Sequence, residues 1–324
     1  MAEVRFGQAI NRALADAMAS DPTVVLFGED VAAAGGPFGV TRGLLDKFGP
    51  ERVRDTPISV AAIVGAAVGA AMSGLKPVVE IMFMDFVTLT MDALVNQAAK
   101  ARFMFGGQFS IPMVVRMPHG GGISAGPQHS QCLEGWLTHV PGLKVVCPAT
   151  IPDAYALMRA AISDPDPVIV IENKSLYALK GELPDAMPLG VIGTAATVRP
   201  GRDVTIVTYG AMVAVAQSAA TALARDNIAA EVIDLRTLQP WDEAAVLASL
   251  AKTHRLVIVH EAVEAFGPGA EIAARMADVG FDELDAPIVR VGAPFMPPPF
   301  AKNLEERYRP DAERIAAAVR RVMA

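Results

Sequence analysis

The sequence predicts an α/β protein of two three-layer domains, each built on a mostly parallel sheet. Three observations predict it. The chain has 324 residues, too many for one small core and enough for two domains. Short apolar runs of strand character alternate with segments of helical period along most of its length. The alternation lapses once, at 178–200, where Pro184, Pro188, Pro200 and several glycines replace any periodicity. That stretch is read as a linker, dividing the chain into domains at 1–187 and 188–324.

The elements follow in order. Residues 8–19 carry Ile10, Leu14 and Met18 on one helical face. The run at 23–30, TVVLFGED, reads as a buried strand ending in glycine and acids, where an α/β sheet commonly places a site. A glycine-rich loop, GGPFGVTRG, comes next. Ser59 is placed as N-cap of a helix at 60–74, whose Gly65, Ala66, Gly69 and Ala70 leave a smooth face for close packing. Strands are predicted at 76–83, 111–118, 143–149 and 167–173, with helices at 88–104 and 153–162. Beyond the linker, strands at 203–210, 230–236, 255–262 and 287–294 alternate with helices at 211–225, 242–252 and 268–279. The proline-rich run at 294–300 is stiff and extended, and a helix closes the chain at 310–323.

Composition excludes several classes of function. Hydrophobic residues make up 52% but aromatics only 6%, so alanine, valine, isoleucine and methionine must build the cores. A net charge of −7 and no lysine–arginine run longer than two argue against a nucleic-acid surface. Charges interrupt the first apolar stretches, so no signal peptide is expected. The most apolar segment, 60–75, is short for a membrane span and reads as a buried helix. Two cysteines, Cys132 and Cys147, fit a reducing compartment without a disulfide framework. A soluble, cytoplasmic protein is expected.

No zinc-type His/Cys cluster, nucleophile elbow, Walker A loop or dinucleotide fingerprint occurs among these residues. The segment GPQHSQCLEGW (126–136) stands out instead. His129 follows a Gly-Pro turn and the loop glycines 120–122, with Gln128, Ser130 and Gln131 beside it. Most lone histidines are structural. Polar neighbours at a cleft edge can nevertheless fix a tautomer and suit proton transfer near neutral pH.

Several stretches, in order, then resemble one family: GEDV (28–31) with GGPFGVTRGLLDKFGPERVRDTPISV (35–60), AAKARFMFGGQFSIPMVVRMPHGGG (98–122), HVPGLKVVCPATIPDAYALMRAAI (139–162), DPDPVIVIENKSLY (164–177), GRDVTIVTYGAMV (201–213), AEVIDLRTLQPWD (230–242) and GPGAEIAARM (267–276). The chain resembles the β subunit of the thiamine-diphosphate-dependent 2-oxo acid dehydrogenases (pyruvate, branched-chain and acetoin types), within the transketolase-like superfamily. The likeness implies a pyrimidine-binding domain followed by a transketolase C-terminal-like domain. It implies an α2β2 heterotetramer whose α subunit holds the cofactor's diphosphate through Mg2+ with a GDG motif; this chain contains no GDG. It also implies oxidative decarboxylation of a 2-oxo acid and passage of the acyl group to lipoamide on a dihydrolipoyl acyltransferase core.

By resemblance, His129 is the active-site histidine, serving proton transfer and acyl handover. Phe86 matches an aromatic that stacks on the aminopyrimidine, and Ile58 and Met82 line the same ring. Met113, Ala161, Ile162, Asp164 and Asp166 match a K+-type site of some relatives, where backbone carbonyls are the expected ligands.

One position departs from the family. The residue after DTPIS is the glutamate that activates the cofactor through ring N1′; here it is Val60. Valine neither donates nor accepts a hydrogen bond. Losing such a contact costs roughly 10²–10⁴ in rate. Three explanations compete: altered activation in an apolar pocket, compensation by Glu29 or Glu80, or loss of this chemistry. The alternatives to a working dehydrogenase subunit are a carboligase or transketolase-like enzyme and a catalytically impaired partner subunit.

Overall fold

The computed structural model describes residues 2–324. They form two compact units: the residues up to His119 with Trp136–Ile192, and Gly120–Gly135 with Gly193–Ala324. The division therefore falls five residues later than 187/188. Gly190 explains this: its N–H donates to the Ala156 carbonyl at 3.0 Å, and its α-carbon lies against Leu157, so the segment packs on a helix of the first unit. The second difference is larger. Residues 120–135 lie in the first half of the sequence but belong to the second unit.

In the first unit six parallel strands lie in the order Lys144–Val146, Val168–Asn173, Val114–His119, Lys76–Glu80, Val24–Gly28 and Val53–Asp55. Val114–His119 and Val168–Asn173 are buried at every position, as central strands of a parallel sheet must be. From Val24–Gly28 the chain moves to one side, to Val53–Asp55, and then crosses to the other, to Lys76–Glu80. Connections leaving in opposite directions open a crevice at the carboxyl ends of these strands, the usual ligand position in an open α/β sheet.

The helices largely follow the predicted periods. Phe6–Ser20 buries Ile10, Leu14 and Met18 together. Thr150 caps Ile151–Ser163 by accepting from the Asp153 N–H at 3.2 Å. The glycine-rich helix runs Val60–Met72. Ser59 holds its N-cap position, but the hydroxyl makes no capping bond. The predicted helix at 88–104 is in fact three pieces: a 3-10 segment Met84–Thr90, a π-helical segment Asp92–Ala98 and an α-helix Ala99–Met104. Such mid-helix irregularity often accompanies functional sites.

The proline-rich linker also contains structure. Lys180–Leu183 pairs antiparallel with Ala2–Arg5 in the first unit, with Arg5 opposite Lys180. Ala196–Arg199 forms an antiparallel edge strand in the second. These strands are too short to show a period. The second unit's sheet runs Val289–Ala293, Leu256–Val263, Val204–Thr208, Ala230–Asp234 and Ala196–Arg199, parallel except at that edge. Asp242 and Asp311 cap the helices Glu243–Thr253 and Ala312–Met323 through the Ala245 and Arg314 N–H groups. No described helix is long and apolar enough to cross a membrane.

Candidate active site

In the first unit, Gly28 lies in register with Asp55 on one side and Glu80 on the other. The residues following these three strands therefore meet at one sheet edge. Glu29 follows the first strand, Thr56–Val60 the second and Ile81–Phe86 the third. Thr56 donates its N–H to the Gly28 carbonyl at 3.0 Å, tying two of these exits together. The Asp55 carboxylate accepts the Ala32 and Ala33 N–H groups at 2.7 and 3.1 Å and so turns the chain away beyond Val31. Gly28 must be small, because a Cβ there would meet the Glu80 carbonyl at 3.0 Å.

The edge thus gathers five of the residues named from sequence: Glu29, Ile58, Val60, Met82 and Phe86. Ile58 is 90% exposed, an unusual state for so large an apolar side chain. Met82 and Phe86 are half-buried. Phe86 meets Phe83 edge to face, with centroids 6.1 Å apart, and Phe83 meets Phe38 at 5.7 Å. Val60 is only 8% exposed and continues the inward face of its helix with Ile63, Val64 and Ala67. The edge thus presents apolar side chains, and the first residue of the helix Val60–Met72 is a buried hydrocarbon.

Two carboxylates at this edge were candidates to replace the missing one, and their states differ. Glu80 is buried and paired with Arg116. Arg116 also holds Glu172, through Nε to Oε1 at 2.8 Å and Nη2 to Oε2 at 2.6 Å. The Tyr177 hydroxyl donates to the same Glu172 carboxylate at 2.7 Å. Burial raises the pKa of Glu80, opposed by the Arg116 charge; burial followed by the Glu172 charge raises Tyr177 well above the ordinary phenol range. Glu80 is therefore committed to holding strands together. Glu29 is nine-tenths buried, and its Oε1 has no hydrogen-bond partner among the described residues. Burial, then the neighbouring Asp30 charge, pushes its pKa up.

His129 lies in the second unit, on the loop 120–135. It is half-buried, and its N–H donates to the Gly126 carbonyl at 3.3 Å. Side chains distant in sequence hold this loop. Glu261 Oε1 accepts the Gly121 N–H at 2.6 Å, and Glu305 Oε2 accepts the Ser124 N–H at 3.0 Å. Arg309 Nε pairs with Glu261 at 2.9 Å. The Tyr209 hydroxyl donates to Glu134 at 2.8 Å, and Phe300 covers Gly126, whose φ is +77°. Sequence reading named none of these supports. The GGG run marks the loop but carries no sign of what grips it.

At the residues of the predicted monovalent-cation site, backbone carbonyls already accept backbone N–H groups. Val168 donates to the Met113 carbonyl, Ile111 to that of Pro165, and Asp164 to that of Ala161, at 3.0, 3.0 and 3.3 Å. The side chains are engaged elsewhere. Both Asp164 oxygens accept from Lys144 at 2.7 Å, and Asp166 pairs with Arg102 at 2.6 Å. A cation here would depend on backbone carbonyls, Ile162 and its neighbours included.

Residues 2–180 match the transketolase pyrimidine-binding domain family, and residues 193–315 the transketolase C-terminal domain family. The chain is 45% identical over 323 residues to the pyruvate dehydrogenase E1 component subunit beta-2, mitochondrial, of Oryza sativa subsp. japonica, spanning 98% of this chain and 86% of that protein. It is 47% identical over 325 residues to the acetoin:2,6-dichlorophenolindophenol oxidoreductase subunit beta of Cupriavidus necator, spanning 97% and 96%. The pyruvate dehydrogenase E1 component subunit beta of Acholeplasma laidlawii is 44% identical, spanning 99% and 98%. Among solved structures, a split-gene transketolase described as an inactive beta4 tetramer superposes with a TM-score of 0.82 over 99% of this chain and 98% of that one. At 23% identity that last likeness is one of fold.

Proposed function

This chain belongs to the family of pyruvate and acetoin dehydrogenase β subunits, and from that premise we propose that it acts with a separate α subunit, as α2β2, to decarboxylate a 2-oxo acid oxidatively and pass the acyl group to lipoamide. The observation that carries the reading is the gathering of Glu29, Ile58, Val60, Met82 and Phe86 at the switch-point edge of one parallel sheet. That edge offers exposed and half-buried apolar side chains, which fit the flat aminopyrimidine of thiamine diphosphate. When bound, the cofactor supplies an acidic ring carbon and an electron sink for loss of carbon dioxide.

This chain's own residues then have separate tasks. Ile58, Met82 and Phe86 grip the ring and exclude water from its face. Val60 keeps the N1′ side apolar where relatives of the resemblance place a glutamate. Glu29 is the carboxyl at this edge with an uncommitted oxygen, and Glu80 is held by Arg116. His129 moves a proton in the acyl handover, on a loop that Glu261 and Glu305 keep in place. The α subunit would hold the diphosphate and Mg2+, since this chain lacks the GDG motif. K+ on the 161–166 loop and docking to an acyltransferase core complete the proposal.

The test is reconstitution with an α-type subunit carrying GDG, thiamine diphosphate and Mg2+. Substrates are a panel of 2-oxo acids and acetoin, with 2,6-dichlorophenolindophenol or lipoamide as acceptor. Turnover with dye and acylation of lipoamide are expected. Tight cofactor binding without either would overturn the dehydrogenase reading.

A further inference from the structure

On the first unit, lined by none of Glu29, Ile58, Val60, Met82 and Phe86, lies a cleft of about 630 Å³, a size typical of small-molecule sites. Its walls come from the start of the first helix (Gln8, Asn11), the Gly36–Gly39 turn, and Tyr177. Two cations face it, Arg5 and Arg42, and no Asp or Glu lines it. Neither arginine pairs with a carboxylate among the described residues, although the chain as a whole carries −7. Glu80, the carboxylate behind Gly36, is already paired with Arg116.

The cleft is built rather than incidental. Asn11 Nδ2 donates to the Val40 and Arg42 carbonyls at 2.6 and 3.1 Å, fixing the backbone that presents the Arg42 guanidinium. Gly35 fits because a Cβ there would meet the Arg42 α-carbon at 2.8 Å. Phe38 and Tyr177 stack at 5.1 Å, 29° apart, and both line the cleft. The Tyr177 hydroxyl is spent on Glu172, so only its ring is on offer.

We propose that this cleft binds an organic phosphate, with the phosphate between Arg5 and Arg42 and a planar body against Phe38 and Tyr177. Two guanidiniums supply two positive charges and forked donors, matching the roughly −1.5 to −2 charge of a phosphate monoester. The aromatic pair supplies a flat apolar surface that a bare anion would not use.

The site is testable without the cofactor, so its fate is separate from that of the dehydrogenase reading. Calorimetric titration of the full chain would use AMP, with inorganic phosphate and adenosine as the two half-ligands. AMP should bind saturably, and each half-ligand at least about tenfold more weakly. Arg5→Gln and Arg42→Gln should each weaken AMP about tenfold, the loss of one charge-assisted contact. Phe38→Ala should narrow the gap between AMP and phosphate. Lys302→Gln, at an exposed surface cation, should leave AMP affinity unchanged. No saturable AMP binding, or AMP binding indifferent to both arginine changes, overturns the proposal. Equal affinity for phosphate and AMP overturns the planar part of it.

Discussion

Replacing Arg116 by methionine should show how the strand exits at the candidate cofactor edge are held. The guanidinium is fully buried and sits between Glu80 and Glu172, 2% and 0% exposed. Methionine fills a similar volume, so the packing loss is small. What disappears is the cation that pairs with both carboxylates. Breaking a buried pair from one side costs about 3–5 kcal/mol, because the remaining charge is uncompensated. That is a large share of the roughly 5–15 kcal/mol available to a domain.

The pH dependence has a definite sign. Burial already raises the Glu80 pKa against the pull of Arg116, so the folded chain holds that proton more firmly than the unfolded one. The associated stability is present below the unfolded value and is lost as pH rises through the folded value. Without Arg116 the pKa rises further. The variant's deficit should therefore be greatest near about pH 8 and shrink on acidification towards about pH 5.

Urea unfolding measures this. Trp136 lies in the first unit and Trp241 in the second, so a Trp241→Phe background reports the first unit alone. A midpoint within about 0.5 kcal/mol of the parent at high pH, or a deficit that grows on acidification, would refute the reasoning.

Three further outcomes are expected. Val60→Glu should raise 2-oxo acid decarboxylation by roughly 10²–10⁴, and the helix N-terminus should offset about 0.3–1 kcal/mol of the charge's cost. A flat or lowered dye-linked rate would show that valine is a working adaptation or that the site fails for other reasons. His129→Ala should impair acyl transfer to lipoamide far more than dye-linked decarboxylation; intact acyl transfer would remove His129 from the mechanism. Gly126→Ala sets a Cβ 2.3 Å from the Phe300 ring at a φ of +77° and should slow the same step. Adding Phe300→Ala should recover only the steric part, leaving the left-handed backbone cost of about 1–2 kcal/mol.

Much of the fold was legible because it rests on local chemistry. Buried parallel strands such as 167–173 read as unbroken apolar runs, and Ile10, Leu14 and Met18 repeat at the helical period. The break at Val60 was legible too, since a family-like DTPIS fixes its spacing and valine has no hydrogen-bonding atom. Strands paired only at long range were not legible. Ala2–Arg5 finds its partner at Lys180–Leu183, and four residues display no period. The π-helical turn at Asp92–Ala98 was hidden for a related reason: its hydrogen-bond pattern changes while its composition stays helical.

The sequence by itself determined the family, the two α/β domains and which residues are proposed to meet the cofactor. Only the tertiary structure decided which carboxylates at that edge are free to act. Glu29 and Glu80 look alike on the page, yet Arg116, thirty-six residues beyond Glu80, commits one and leaves the other. It also decided that the His129 loop belongs to the second unit, through Glu261 and Glu305. Both outcomes depend on contacts between side chains far apart in the chain, and a carboxylate's charge state and partners are set by what the fold packs around it.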